Sequence, residues 1–486
     1  MRRIINYFSV FLLLIFVKLG YSQSSELNSV FSASDLQEDF IVFQRILEQA
    51  HGNLYTYRPT KEVHEALDET YAQLDRSLSY PEFYRLLNTV LSFVGNQQTH
   101  VSFPPEYLKQ LYKLNIFFPL PLRFLNQKMY CDYRLSVIPV GSEITSINGK
   151  RFKEILFASQ RVIPSEGRNE TYVYKELQRA FPFYYTQLYG PIKEYDISYV
   201  DPVEGRERNL TIPAITYNEF QQRVSKKQNK NLKPFSYTYI DSLRTGVLTI
   251  NAVGEKSNRR LKKFLKKTFA KLKENRTLYL ILDLRRQNTQ NEGVYPLVFS
   301  YLAQRSYKEV NGAETIGIRI PFKEFLNAKI RRKSRILEKT LTQKFVKGDS
   351  GTYTLNPNMN PIFISERNAF GGNLYVLIGG NTLNGGVALS SLLRNENRAT
   401  FIGEETGGNY YGHSGGVMLT YRLPKTGMIL QVPKVHYLHY VQNNYFSDDS
   451  GIIPHYTPEI RPGNMIENTD PIMEFTVKLI RLGNVR

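Results

Sequence analysis

The chain has 486 residues, 42% of them hydrophobic, with one cysteine (Cys131) and 63 Lys and Arg against 44 Asp and Glu, a formal charge of +19. That length exceeds one ordinary core and favours two or three domains, and the hydrophobic content is that of a folded chain. A lone cysteine excludes an intramolecular disulfide framework, and the seven histidines form no H-E-x-x-H or similar pattern, so neither a metal nor a cofactor is expected.

Met1-Arg2-Arg3 precedes the apolar run from Phe8 to Val17, and Gly20-Tyr21-Ser22-Gln23 follows it. This is the layout of a secretory signal peptide, expected over residues 1–23 with cleavage near Ser22 or Gln23. The run is shorter than the ~20 apolar residues of a bilayer span. No later segment is apolar enough for a stable membrane span. The mature protein is expected to be exported, periplasmic or extracellular. Loss of the leader removes Arg2, Arg3 and Lys18 and no acid, so the remainder stays strongly basic. Such a balance favours an anionic surface as partner, whether lipid headgroup, acidic glycan or acidic peptide. Nucleic acid is not expected, because no base-reading motif is present and export separates the chain from it.

Residues 24–112 read as an N-terminal helical region. Ser34-Asp35 suits the cap of a helix carrying Phe40, Phe43, Ile46 and Leu47, and a second helix fits Val63 to Leu74. A third starts at Ser79-Tyr80-Pro81-Glu82 and carries Phe83, Leu87, Val90, Leu91 and Val94 on one face. Residues 113–224 read as a β-rich region, clearest in SVIPVGSEITSINGK (136–150): an apolar strand, a glycine turn, a second strand and the hairpin pair Asn148-Gly149. The polar stretch 225–233 reads as a linker.

Residues 234–486 alternate strand and helix. Strands are expected over 245–250, 278–284, 374–378 and 398–402, a helix through Leu261, Leu265, Phe269 and Leu272, and another from Asn384 to Leu393. This order implies an α/β core with parallel pairing, whose functional groups gather at the C-terminal ends of the strands. Residues 323–347 hold nine Lys and Arg against two Glu and read as a basic surface helix, with a membrane-surface segment as the second reading. Asn169-Glu170-Thr171, Asn209-Leu210-Thr211 and Asn275-Arg276-Thr277 fit the glycan acceptor rule.

Six segments then carry a resemblance in the right order. FYRLLNTVLSFVGNQQTHV (83–101) resembles the stretch ending in G-D-G-H-T of the C-terminal-processing (tail-specific, tricorn-like) serine peptidases. SVIPVGSEITSINGK is similar to their PDZ-like segment, and LYLILDLRRQNTQNEG to their strand ending in D-L-R-x-N-x-G-G. LYVLIGGNTLNGGVALSSLLR resembles the nucleophile segment with T-x-S-A-A-E, IGEETGGNYYG the G-E-x-T-x-G segment, and GIIPHYTPEI the G-I-x-P-D segment. The resemblance spans nearly the whole mature chain. It implies ClpP/crotonase-like βαβ units at 234–486, a PDZ-like β module at 113–224, and a groove that takes a peptide or unfolded protein segment as an extended strand.

At the catalytic positions this chain departs from the family. The serine of T-x-S aligns with Asn384, the G-D-G-H-T histidine with Gln98, and the lysine after G-E-x-T-x-G with Asn409. His100, two residues past Gln98, is a candidate relocated base. Arg286-Gln287-Asn288-Thr289 replaces the oxyanion glycines, and His455 stands where G-I-x-P-D has aspartate. Gly385 and Gly386, with Thr382, remain as a candidate amide nest for a bound peptide. Three readings follow: an exported peptide-binding pseudo-peptidase with a degenerate catalytic site; an active serine-type endopeptidase acting in proteolysis with rearranged groups, for which Thr382, two residues before Asn384, and Ser390 and Ser391, six and seven after it, would each need a register shift; and a non-enzymatic binder of anionic glycan or lipid.

Overall fold

The computed structural model describes residue 27 and residues 29–483, other than 228–231, 255–256, 290 and 349–350. The expected leader lies outside the described residues, as does much of the expected linker.

Three helices open the chain: α1 (Ala33–Ala50), α2 (Thr60–Ala72) and α3 (Tyr80–Val94). Ser32 rather than Ser34 caps α1, because its hydroxyl is the one placed three residues before the free Asp35 amide, which it accepts at 3.2 Å. α3 begins where the sequence predicts, with Ser79 and Glu82 closing a reciprocal capping box. It ends at Gly95, whose φ of 75° turns the chain sharply toward β1 (His100–Ser102).

The middle region holds β2 (Leu122–Leu125), β3 (Lys128–Cys131), β4 (Glu143–Ile147), β5 (Lys150–Arg151), α4 (Phe152–Gln160), α5 (Glu170–Tyr189), β6 (Glu194–Val200), β7 (Glu207–Pro213) and α6 (Tyr217–Lys227). The strands form an antiparallel sheet in the order β2-β3-β4-β6-β7, with β5 folded back on β4 through Asn148-Gly149. Val173, Leu177, Phe181 and Tyr185 of α5 bury against it. The predicted strand at 136–140 does not form: Pro139 lacks a donor, and Ser136 Oγ turns inward to accept from Ile138 N at 3.0 Å. Residues 152–189, expected to be β-like, are helical apart from the 161–169 connection. Their Tyr and Phe content suggests strands, but i, i+4 spacing of Val173, Leu177 and Phe181 and the Asn169 cap decide for helix. α5 kinks at Ala180 (φ −134°), two residues before Pro182. Residues 225–227 extend α6 rather than starting a linker. Asn169 is buried and donates from Nδ2 to Thr406 O at 2.7 Å, which removes it as a glycan acceptor.

The last region runs β8 (Phe235–Ile240), β9 (Thr245–Ile250), α7 (Asn258–Glu274), β10 (Tyr279–Asp283), β11 (Val310–Thr315), α8 (Ala328–Lys344), β12 (Phe345–Lys347), β13 (Tyr353–Leu355), β14 (Asn373–Ile378), α9 (Gly385–Asn395), β15 (Ala399–Gly403), β16 (Gly412–Arg422), β17 (Ile429–His439) and α10 (Pro471–Gly483). The core sheet has the order β8-β9-β10-β14-β15 and is parallel from β9 onward. Its strands are apolar on both faces because α7 and α9 cover one and α10 the other. A second, antiparallel sheet runs β12-β13-β11-β17-β16, and β1 pairs with β17. Leu419 and Leu430 of this sheet share a core with Leu36 and Phe40 of α1. Asp39, wholly buried on α1, fixes that contact by accepting from Lys425 N and Thr426 N, each at 2.8 Å. The result is a mixed α/β fold of several sheets. Among the described residues no helix is long and apolar enough to cross a membrane.

Candidate active site

The parallel strands β10 and β14 end side by side, and Leu284 N donates to Leu377 O at 2.9 Å just past them. Arg285 locks the exit of β10 by pairing with both Asp283 and Asp470. After β14 the chain turns through 379–384 into α9. Thr382 holds this turn: its hydroxyl donates to Leu284 O at 2.9 Å and accepts from Gly379 N at 3.1 Å. Gly386 N donates to Leu383 O at 2.8 Å, closing a tight turn with Asn384 and Gly385 at its centre. Asn384 has φ 48° and ψ −122°, the backbone of the first central residue of a type II′ turn. A side chain there costs of order 1–3 kcal/mol and persists only where its surroundings enforce it. A strained strand-to-helix turn of this kind is how α/β hydrolases expose a nucleophile.

The residue on this turn carries an amide, and so does the residue facing it. Gln98, in the loop after Gly95, donates from Nε2 to Asn384 Oδ1 at 2.8 Å. Asn384 Nδ2 faces Asn288 O at 3.4 Å, and because that carbonyl can only accept, the amide orientation is fixed. Neither side chain can take up a proton at neutral pH, and neither offers a hydroxyl. The 286–289 loop also presents acceptors rather than donors here: Gln287 O accepts from Leu383 N at 2.9 Å, beside the Asn288 carbonyl. An oxyanion needs amide donors at this place.

Behind Gln98 the loop is held by buried polar groups. Asn96 Oδ1 accepts from Gln98 N at 3.1 Å and Thr99 Oγ1 at 2.9 Å, and its Nδ2 donates to Ser414 Oγ at 3.0 Å. His51 Nδ1 accepts from Asn53 N, so its Nε2 donates to Thr99 Oγ1, 2.8 Å away. Burial pushes the pKa of His51 down to about 3, helped by His436, whose own value burial lowers to about 4. Both rings are neutral structural partners.

Of the other expected residues, His100 lines the same cleft as Gln98 and Asn384. Its ring reaches solvent yet is ringed by protein, which lowers its pKa against the pull of Glu176. Asn409 is brought near only through its neighbour, as Gly408 N reaches Thr382 O at 3.3 Å; its own side chain turns away to donate to Asp448 O at 2.6 Å. Thr382, Gly385 and Gly386 lie behind the cleft wall rather than on it. A side chain at Gly386 would meet Gln287 O at 2.6 Å, so this glycine serves a close approach of helix and loop. Ser390 donates to Gly386 O within α9, and fully buried Ser391 to Tyr410 O, each at 2.8 Å. His439 Nδ1 stands 3.0 Å from Ser391 Oγ and 2.8 Å from Tyr410 O, and continues through His413 to Glu292. This chain ties β16 and β17 to α9 and does not reach the cleft. His455 accepts from Phe401 N at 2.8 Å, a structural post at the edge of the core sheet.

The residues that line the cleft beyond Asn384, Gln98 and His100 were not foreseen. The cleft encloses about 460 Å³, within the usual range of ligand sites, and runs from Asn384 and Gln98 to a wall of Tyr84, Phe103, Tyr112, Tyr172, Phe183 and Tyr184. Six of its residues, Tyr172, Glu176, Arg179, Ala180, Phe183 and Tyr184, come from α5. Glu176 accepts from Arg179 Nε at 2.7 Å and Tyr184 Oη at 2.9 Å, so its charge is met inside the cleft. The i, i+4 apolar rhythm of α5 was the signal that would have placed these groups. Close by, Tyr57 Oη donates to Glu166 at 2.8 Å, and burial pushes the Glu166 carboxyl up to about 7.

No family profile matches the sequence, and no curated protein matches it. Solved structures do. Mature CPAF superposes with a TM-score of 0.63 at 12% identity, covering 93% of this chain and 97% of that one. Mature CPAF complexed with lactacystin gives a TM-score of 0.62 at 12% identity, over 93% and 98%. The photosystem II D1 C-terminal processing protease is more distant, with a TM-score of 0.40 at 13% identity over 88% and 93%. At such identity what is shared with CPAF is the fold.

Proposed function

We propose that the chain is an exported member of the tail-specific peptidase family that has lost hydrolysis and keeps peptide binding. The observation that carries this reading is the Gln98–Asn384 contact: the two positions that would hold base and nucleophile meet at 2.8 Å, on the strained turn, as two neutral amides. The aromatic cleft beside them suits an extended peptide with a bulky apolar side chain. In this reading residues 113–224 act as the PDZ-like module, 234–486 as the ClpP/crotonase-like core and 1–23 as the export signal.

Calorimetry with a library of extended peptides at moderate salt, followed by mass analysis of the recovered peptides, tests it. Binding without cleavage is the expected result. Cleavage would establish instead the active endopeptidase. The anionic-surface reading has its own support in α7, whose exposed face carries Arg259, Arg260, Lys262, Lys263, Lys266 and Lys267. Binding driven by that face falls steeply with salt, whereas cleft binding does not.

A further inference from the structure

Asn384-Gly385 is one of three Asn-Gly pairs in the chain, with Asn148-Gly149 and Asn311-Gly312. We propose that Asn384-Gly385 is a self-modification site at which the folded protein drives succinimide formation, replacing the cleft's neutral amide with a carboxylate.

Three observations converge. First, ring closure requires the nitrogen of the following residue to approach the asparagine Cγ. A tetrahedral Cα sets Cβ a third of a turn from the main-chain nitrogen, so the ψ of −122° brings Gly385 N into eclipse with Asn384 Cβ, its nearest approach to the side chain. In a flexible chain that rotation must be found and paid for, but here the fold already imposes it. Second, Gly385 N begins α9 and has no acceptor within the helix, while Gly386 N takes the turn bond to Leu383 O. Gly385 also brings no side chain to shield the nitrogen. Third, Gln98 Nε2–H points at Asn384 Oδ1 from 2.8 Å, where it polarises the Cγ carbonyl and stabilises the oxygen as negative charge develops on it.

The chemistry needs only water. Gly385 N attacks Asn384 Cγ; the N–Cγ bond forms, the Cγ–Nδ2 bond breaks, and ammonia leaves with the amide proton. Water then opens the imide, at Cγ to give aspartate or at the main-chain carbonyl to give isoaspartate. No electron transfer occurs, and the cleft that Asn384 lines admits the water. The aspartate product sits at the N-terminus of α9, where the helix dipole stabilises its charge. A bound peptide would then face a carboxylate instead of an amide, which disfavours acidic ligands.

Peptide mapping with isoaspartate detection, on protein incubated at mildly alkaline pH either folded or in denaturant, tests the proposal. Folded protein is expected to convert Asn384 severalfold faster than the denatured chain, whereas Asn148 and Asn311 gain nothing from folding. Gln98→Ala should slow conversion in the folded state only. Gly385→Ala should nearly stop it, and its Cβ has room, with nothing closer than 3.6 Å. An Asn384 rate in the folded protein equal to or below that of the denatured chain overturns the proposal.

Discussion

Gln98 Nε2 and Asn384 Oδ1 meet at 2.8 Å across 286 residues of chain. The first hangs from the loop that leaves α3 and the second from the turn that enters α9, so the contact joins the N-terminal helices to the parallel core. The surrounding backbone keeps a geometry suited to displaying a reactive side chain, with Asn384 at φ 48° and ψ −122°. The strain is present, and the side chain it displays is a neutral amide. A fold retains such a turn if the turn still positions something, and here it sets one wall of the cleft.

The first prediction follows from proton bookkeeping at that contact. A serine nucleophile requires a base, and Gln98 is none. The wild-type protein and Asn384→Ser alone should not label with a fluorophosphonate. Asn384→Ser combined with Gln98→His should label slowly, because the 286–289 loop still offers carbonyls where an oxyanion needs donors. Fluorescence of the protein band on a gel reads the outcome. Labelling of the wild type at Ser390 or Ser391 would sink the pseudo-peptidase reading.

Two adjacent glycines should respond differently to one methyl group. At Gly386 an added Cβ lies 2.6 Å from Gln287 O, a backbone atom that cannot step aside without moving the loop. Gly386→Ala should therefore cost about 1–3 kcal/mol, in the range of overpacked core sites. Gly385→Ala meets only ordinary contacts with Tyr295 and Thr289 and should be close to neutral. Thermal unfolding of both variants side by side decides it; equal Tm values would contradict the close-approach account.

Much of the core was legible because its elements obey strong local rules. The runs at 245–250 and 374–378 are continuous apolar strands, and the Leu261, Leu265, Phe269 and Leu272 stripe has helical period and lysines outside; β9, β14 and α7 follow them closely. The 379–386 turn was also placed, since Asn384 does stand at the helix start. What the sequence hid is pairing at a distance. Nothing local says that Gln98 turns to Asn384, that Thr382 spends its hydroxyl on Leu284, or that Asn409 faces Asp448. The cleft wall was hidden for another reason. The Tyr and Phe of α5 satisfy strand propensity, and Pro182 argues against a helix that tolerates it only by kinking at Ala180.

Acid should destabilise the protein in a defined window. His51, His436 and His439 are buried and neutral, with pKa values lowered from 6.5 to about 3, to about 4 and well below the ordinary value, in each case chiefly by burial. The unfolded chain binds protons at these groups as pH falls below about 6.5, and the folded chain does not, so stability falls with falling pH. Glu166 and Glu309 oppose this, since burial raises both to about 7 and favours the folded form as pH drops from 7 toward 4.5. Below 4.5 that opposition ends, and the histidine contribution continues to be lost down to about 3. Tm should therefore change gently between pH 7 and 5 and fall steeply below 4.5. His51→Gln should flatten the steep limb; an unchanged limb in that variant would remove His51 from the account.

The last prediction concerns where a peptide is held. The amide nest at Gly385 and Gly386 is the natural place to look from sequence, but these residues stand behind the wall, and bulk at Gly385 would press on Tyr295 and Thr289 instead of a ligand. The cleft surface belongs to Phe183 and Tyr184, with Tyr84 and Phe103 set edge-on to Phe183 at centroid distances of 6.0 and 6.1 Å. Half-buried aromatic surface beside a neutral polar pair suits an apolar side chain whose backbone is anchored by the Gln98 and Asn384 amides. Phe183→Ala should lower affinity for such peptides about tenfold or more, equivalent to ~1.4 kcal/mol, as for an aromatic anchor. Tyr184→Ala removes a ring and also the hydroxyl donated to Glu176, so it should weaken binding and shift preference toward basic side chains. Tyr445→Ala, away from the cleft lining and against Arg394 near the C-terminal end of α9, controls for general loss of stability. Titration calorimetry on the three variants separates the cases. Equal losses in all three would point to unfolding, whereas full affinity in Phe183→Ala and Tyr184→Ala would move the peptide site out of this cleft.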